Sequence, residues 1–362
     1  MKRIVFTVTN DLNYDQRMIR ICSSLESAGY NVLLVGRKGK KVSALEPKSY
    51  HQKRLFTFFK GGFGFYAEYN IRLFFYLLFT KADIFCCIDL DTMLPVLTAS
   101  KFRGKKRVYD AHEFFTQQKE IITRPKVRLV WLWIEKTFLP KFKLGYAVSQ
   151  SIANEFSHRY GVDYKVIRNL PLLKSSQSSS AAKQKTILYQ GAVNEARGLE
   201  FLIPAMKDVE AELHVYGDGN FMEPTKSLIK SNNLQNKVFL KGKVLPTELD
   251  AITQRAYVGL NLVENNGLNQ YYSLANKFFD YVQNGIPQVS MNFPEYKKIN
   301  AEFEVAILID DLQPSTIADT INSLLNNKEL HDKLSNNCMQ ARETLNWQQE
   351  EKKLLAFYKS II

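Results

Sequence analysis

The chain has 362 residues, 45% apolar and 23% charged, an ordinary composition for a soluble globular protein. That length exceeds what one hydrophobic core usually holds, so two domains with cores of their own are expected. A secretory leader is not expected, because the first apolar run, Ile4–Val8, is short and ends in polar residues; nor is a membrane span, because the longest, Leu73–Phe79, falls far below bilayer thickness. Residues 1–172 carry 29 Lys and Arg against 14 Asp and Glu, whereas residues 173–362 carry 20 against 22, so the net charge of +13 resides in the first half. An anionic partner is implied: nucleic acid, an acidic membrane face or a phosphorylated substrate. Cys22, Cys86, Cys87 and Cys338 have no metal-ligand spacing and read as reduced thiols of a cytosolic chain.

Strands are expected at Lys2–Thr9, Asn31–Gly36, Asp83–Ile88, Arg107–Asp110 and Leu144–Ser149, with helical patterns between them. The first helix sets Met18, Cys22 and Leu25 on one face and ends at Gly29. Short apolar strands alternating with helices of ten or more residues indicate a parallel, doubly wound sheet. Asp15 and Arg17 fall at the first helix start, where Asp15 suits an N-cap and Arg17 suits a phosphate. Asp89 and Asp91 follow the strand ending at Ile88. Tyr109–Phe115 leaves another strand end with Asp110, His112 and Glu113 in succession. A histidine there either caps the following segment or hydrogen-bonds a sugar hydroxyl or phosphate. Two stretches, Lys53–Lys81 and Arg124–Lys143, mix aromatic with basic side chains, either as core aromatics with wet lysines or as a membrane-interface surface.

Lys174–Lys185 is Ser-rich and free of aromatics, which predicts a solvated connector. The second half repeats the plan, with strands expected at Thr186–Gln190, Glu212–Tyr216, Lys237–Leu240, Val258–Val263, Pro287–Met291 and Val305–Ile309. Gly191 lets backbone approach a ligand closely, and Arg197, beside Gly198, offers a planar fork of donors to a pyrophosphate. Gly217 and Gly219 form a turn after the next strand, either a ligand loop or a tight turn alone. The most informative run is Tyr271–Met291. It sets Asn276 and Lys277 in the first turn of a helix, Asp280 one turn later, and Gly285 and Pro287 as the stop. A helix start with an added ammonium suits phosphate, and Asp280 suits the two hydroxyls of a ribose. No G-x-G-x-x-G fingerprint follows the first strand and no Walker lysine is present, which weighs against NAD and ATP-hydrolysis readings.

This run resembles the donor-site segment of GT-B glycosyltransferases of the GT4-type family, S-L-P-N-K-x-F-E-Y-x-x-x-G-x-P. The match rests on Ser273, Leu274, Asn276, Lys277, Phe279, Tyr281, Gly285 and Pro287, with Ala275 and Asp280 departing, and Tyr272 where many members carry a sugar-contacting Glu. Gly191, Arg197 and Gly198 resemble the family's G-R-L-x-x-x-K-G turn, with Ala192 in place of its first Arg. Gly217 and Gly219 match its G-x-G turn, and Gly242 and Val244 its F-x-G-x-V element at the nucleobase. Tyr109–Glu113 resembles its Y-D-x-H-E segment, and Asp15–Arg17 its D-x-R opening.

The resemblance implies two Rossmann-like α/β domains facing a cleft, the GT-B fold: residues 1–172 for the acceptor, residues 186–345 for the donor, and a helix over 346–362 packing back on the first. It implies retaining transfer of a sugar from a UDP- or GDP-linked donor to a saccharide or lipid-linked acceptor, in cell-surface polysaccharide or lipopolysaccharide synthesis. No cofactor and no metal are expected. Arg197, Lys277 and His112 are the expected catalytic groups, and Asp15, Arg17, Asp89, Asp91, His112 and Glu113 the acceptor side. The expected location is cytoplasmic, with the first domain against an anionic membrane surface and no nucleic-acid partner. A GT-B nucleotide-sugar epimerase and a catalytically degraded sugar-binding scaffold are the competing readings, the latter motivated by Tyr272, Ala192 and Asp280.

Overall fold

Apolar strands separated by helices favour parallel pairing, because each crossover carries the chain back to the same end of the sheet. The computed structural model describes residues 1–38, 44–173 and 185–362. Among these, thirteen strands form two sheets, and every pairing is parallel. The chain divides into two units, residues 1–169 with 267–269 and 350–362, and residues 170–266 with 270–349.

In the first unit β1 (Arg3–Thr7), β2 (Asn31–Lys38), β3 (His51–Phe56), β4 (Ile84–Ile88), β5 (Lys106–Ala111), β6 (Leu144–Ala147) and β7 (Lys165–Val166) lie in the order β3-β2-β1-β4-β5-β6-β7. The helices α1 (Gln16–Ser27), α2 (Gly62–Phe79), α3 (Met93–Phe102), α4 (Lys119–Ile122), α5 (Pro125–Phe138) and α6 (Gln150–Tyr160) connect them. In the second unit β8 (Thr186–Gln190), β9 (Glu212–Tyr216), β10 (Val238–Gly242), β11 (Val258–Asn261), β12 (Gln288–Met291) and β13 (Ala306–Ile309) take the order β10-β9-β8-β11-β12-β13. Its helices are α7 (Leu199–Ala205), α8 (Met222–Ser231) and α9 (Pro246–Arg255), then, after α10 (Leu268–Tyr271), α11 (Asn276–Gln283), α12 (Pro294–Phe303), α13 (Pro314–Asn326) and α14 (Lys328–Ala341). The chain closes with α15 (Trp347–Ile361).

Both sheets therefore reverse their winding at one place, between β1 and β4 in the first and between β8 and β11 in the second. Ligands of doubly wound sheets bind outside the carboxyl ends of strands at such switch points. Burial explains the strand composition. All five residues of β4 are buried, as a strand covered by helices on both faces requires. The end of α15 belongs to the first unit, where Tyr358 sets its ring edge-on to Phe6 and Tyr146. The four cysteines are buried and form no disulfide. Among the described residues no helix is long and apolar enough to cross a membrane.

Two strands differ from the sequence expectation. β3 overlaps the start of the expected run of aromatic and basic residues, and β7 has only two residues. The polar His51–Arg54 segment has little strand character of its own; pairing of six residues against β2 makes it a strand. The expected connector lies, except for Lys185, outside the described residues.

Candidate active site

In the second unit α11 starts where the sequence places it. Ala275 is the N-cap, its N–H bonded to the Tyr296 hydroxyl, and Gly285 follows the helix with a left-handed φ of 63°. Lys277, in the first turn, lays its Nζ 4.0 Å from the centre of the Tyr189 ring, a cation–π contact at the end of β8. The ring face is what compensates it: Nζ is shut off from solvent and makes no hydrogen bond among the described residues. Burial therefore lowers its pKa to about 7, and the nearby positive charge of Arg197 acts in the same direction. Two basic groups brought together, one of them without a hydrogen bond among the described residues, form a site that suits an anion.

Asp280 stands one turn further along. Gln190, the last residue of β8, donates to it (Nε2 to Oδ2, 3.0 Å), and the Gln190 side-chain oxygen accepts from Thr253 Oγ1 at 2.7 Å. This chain fixes the orientation of the carboxylate. The glycine turns beside it are explained by close packing of one turn on another. Gly217 has φ 153°, and a Cβ there would fall 1.7 Å from the Gly191 carbonyl oxygen. Val193 N–H donates to Asp218 O, and Asn220 N–H to Asn194 Oδ1. A Cβ at Gly219 would crowd Asn194 and Val193 too, and the Gly242 carbonyl accepts from Gly217 N–H. These glycines shape the loop that carries Arg197; Gly198 in turn presses against Leu262, after β11. Ser273 Oγ donates to Gln270 O, Leu274 packs on the core, Asn276 is exposed and Val244 is half-buried.

In the first unit the acids converge on the β1–β4 switch point. Thr9 Oγ1 donates to Asp91 Oδ2 at 2.6 Å, while Asp91 Oδ1 is buried without a partner among the described residues. Burial raises the Asp91 pKa to about 6. Asp89 occupies a backbone region almost reserved for glycine (φ 51°, ψ −168°). Its N–H bonds Asp110 O, and its carboxylate receives the N–H groups of His112 and Glu113 at 2.9 and 3.3 Å. Burial pushes its pKa to about 8, with His112 opposing and Glu113 adding. His112 Nε2 pairs with Asp110 Oδ2 at 3.1 Å, and burial, which disfavours the imidazolium, is outweighed by that carboxylate, so its pKa is raised. Asp89, Asp91, His112 and Glu113 line one cavity.

Two further residues expected on the acceptor side are held by contacts within the first unit. Asp15 is the N-cap of α1, accepting from Met18 N–H, and takes a second bond from Asn10. Arg17 is 3% exposed and commits one amino group to Asp110 at 2.9 Å and the other to Ile167 O at 3.0 Å. A guanidinium so held fixes the acid behind His112. Sequence reading missed Gln190, Thr253 and Tyr189, which act through neighbours distant in the chain. It also missed the Asp110–Arg17 pair, 93 residues apart.

Models of two families match the chain: Glycosyl transferases group 1 over residues 173–340, and Glycosyltransferase Family 4 over residues 16–170. Among solved structures, sucrose-phosphate synthase from Thermosynechococcus elongatus superposes with a TM-score of 0.82 at 15% identity, covering 100% of this chain and 99% of that one. Anabaena HepE in complex with UDP-glucose gives 0.79 at 13%, covering 99% and 100%. WaaG, a glycosyltransferase involved in lipopolysaccharide biosynthesis, gives 0.73 at 13%, covering 97% and 98%. At such identities the likeness shows the fold alone, and that fold is GT-B. No curated protein matches the chain in sequence. The two units thus define a glycosyltransferase. With one family model on each unit, both halves of the chain resemble the GT4-type glycosyltransferases.

Proposed function

We propose that the protein transfers a sugar, with retention at the anomeric carbon and without a metal, from a nucleotide-diphosphate sugar to a hydroxyl of a saccharide or lipid-linked acceptor. The observation that carries this is Lys277, a buried ammonium beside Arg197 at a helix start, with no hydrogen bond among the described residues. A diphosphate supplies the missing charge and makes the hydrogen bonds that Nζ lacks. As the bond from the anomeric carbon to the phosphate oxygen breaks, negative charge builds on the leaving diphosphate, and both cations stabilise it. The acceptor oxygen forms the new bond on the same face, and its proton passes to the departing phosphate. Asp280, held by Gln190, takes the ribose hydroxyls. Asp91 Oδ1 and His112 take those of the acceptor. UDP is favoured as the nucleotide because HepE was solved with UDP-glucose. WaaG's part in lipopolysaccharide biosynthesis supports a cell-surface glycan as product, made at the inner face of the plasma membrane.

Thermal stability against UDP, GDP, ADP and CMP tests the donor side. At about 100 times its Kd the true nucleotide stabilises the fold by roughly 2.7 kcal/mol. Asp280→Ala is expected to remove most of that shift and Gln190→Leu part of it. An undiminished shift in Asp280→Ala would take the ribose role from that residue, and no shift with any nucleotide in wild type would sink the donor assignment.

The pH dependence of this binding follows from Lys277. Its folded pKa of about 7 lies below the ordinary value of 10.5, so the free protein releases a proton as pH passes 7. A bound diphosphate restores the charge, so binding takes up nearly one proton at pH 8. Affinity is expected to fall about tenfold for each step of one in pH above 7. Calorimetry in buffers of different ionisation heat measures the uptake, and zero uptake at pH 8 would show that the diphosphate does not meet Lys277.

A further inference from the structure

We propose that the groove bounded by α2, α3 and α5 in the first unit holds the hydrocarbon chain of an amphiphilic acceptor, a lipid-linked saccharide whose hydroxyl reaches Asp91 and His112. This rests on the glycosyltransferase reading above and narrows its acceptor to one class. The cavity measures about 1200 Å³. Its two ends differ in chemistry. One is polar, with Asp89, Asp91, His112 and Asn70 at the switch point where a reacting hydroxyl belongs. Most of the remainder is a wall of Phe74, Leu94, Val130, Trp131 and their apolar neighbours, with Gln118, Glu120, Arg124 and Lys126 along it.

A free saccharide does not match that wall, because its hydroxyls would lie against hydrocarbon with no partner. An alkyl or prenyl chain matches its apolar stretch. The wall also continues outward instead of closing over. Phe63 is 83% exposed, Phe102 78% and Phe75 56%, all lining the same groove. An apolar strip left in water and continuous with a polar site marks a surface with an apolar occupant. Inside, Trp131 is pinned edge-on between Phe115 and Tyr66, at centroid distances of 4.8 and 5.2 Å, so the wall is preformed. The cationic excess of residues 1–172 suits the acidic groups through which lipids carry sugars; on the groove itself Arg124 and Lys126 stand together with Glu113 and Glu120. An apolar face of another protein would gain nothing from that charge.

The test titrates the full chain with octyl β-D-glucoside, kept below its micelle-forming concentration, and with methyl β-D-glucoside. Saturable binding of the octyl compound, with the methyl compound at least tenfold weaker, is the expected result. Val130→Trp fills the groove and Phe75→Arg charges its exposed rim; both are expected to weaken octyl glucoside at least tenfold. Because both residues are exposed, neither variant should unfold, and an unchanged circular-dichroism melt of the free chain verifies this. Equal binding of the two glucosides, no saturable binding, or binding unchanged in both variants overturns the proposal. So does capture by anionic vesicles without any binding of octyl glucoside, which would make this face a membrane surface, and so does self-association lost in both variants, which would make it an interface between copies. If octyl glucoside binds as expected while no nucleotide shifts wild type, the donor assignment fails and the groove stands.

Discussion

Lys277→Met is expected to raise the melting temperature and at the same time to weaken nucleotide-diphosphate binding by at least about 100-fold, close to 2.7 kcal/mol. Both effects arise from the same unpaired ammonium. Nζ is shut off from solvent, beside Arg197 and without a hydrogen bond among the described residues. Its pKa falls from 10.5 to about 7, and every tenfold loss of proton affinity on folding costs about 1.4 kcal/mol at pH values where the group stays charged. Methionine keeps most of the length of the stem and its contact with Tyr189 while removing the charge. Relief of roughly 2 kcal/mol, some 4–8 °C in Tm, is expected once the imperfect fit is allowed for. The sign also fixes a pH dependence. Between pH 7 and 10.5 the unfolded chain binds the proton that the folded chain has released, so this residue's contribution makes wild type gain stability as pH rises, and the variant lacks that slope. Calorimetric melting with and without UDP gives both numbers. A destabilised variant that still binds UDP normally would show that Lys277 is a structural residue and that the anion site lies elsewhere.

Arg17→Met is expected to cost about 3–5 kcal/mol, because it strands the Asp110 carboxylate in the core with only His112 beside it. Burial alone would push the Asp110 pKa up; Arg17 and His112 together pull it below the ordinary carboxylate range. That depressed pKa contributes stability above the unfolded value, and the contribution is lost as pH falls through the folded one. The raised pKa of His112 works the other way, contributing below the unfolded value and fading as pH rises through the folded one. Replacing both partners, Arg17→Met with Asp110→Leu, should recover much of the loss, since a buried pair exchanged for apolar side chains is often neutral. Chemical denaturation of the single and double variants measures the coupling. A single-variant loss below about 1 kcal/mol would leave Arg17 free for the phosphate role that its position at a helix start first suggested.

Alternating short strands and helices, the helix stop at Gly285 and the first-turn position of Lys277 were legible in the sequence because each depends on neighbours a few residues away. Gly217 and Gly219 were visible as a turn for the same reason. Tertiary structure alone decided what those residues do. It turned Lys277 onto Tyr189, far earlier in the chain, and so made an ordinary lysine a dry and poorly protonated one. It placed Gln190 against Asp280, drew Arg17 to Asp110 and made β3 a strand through its pairing with β2. Charge state and hydrogen-bond partners are set by desolvation and by contacts between segments far apart in the chain, and no local pattern encodes either. The aromatic residues of α2 and α5 divide in the same way. Their number was plain from the sequence, but only packing separated the buried Tyr69 and Trp131 from the exposed Phe63 and Trp133, because apolar side chains outnumber the places that one core offers.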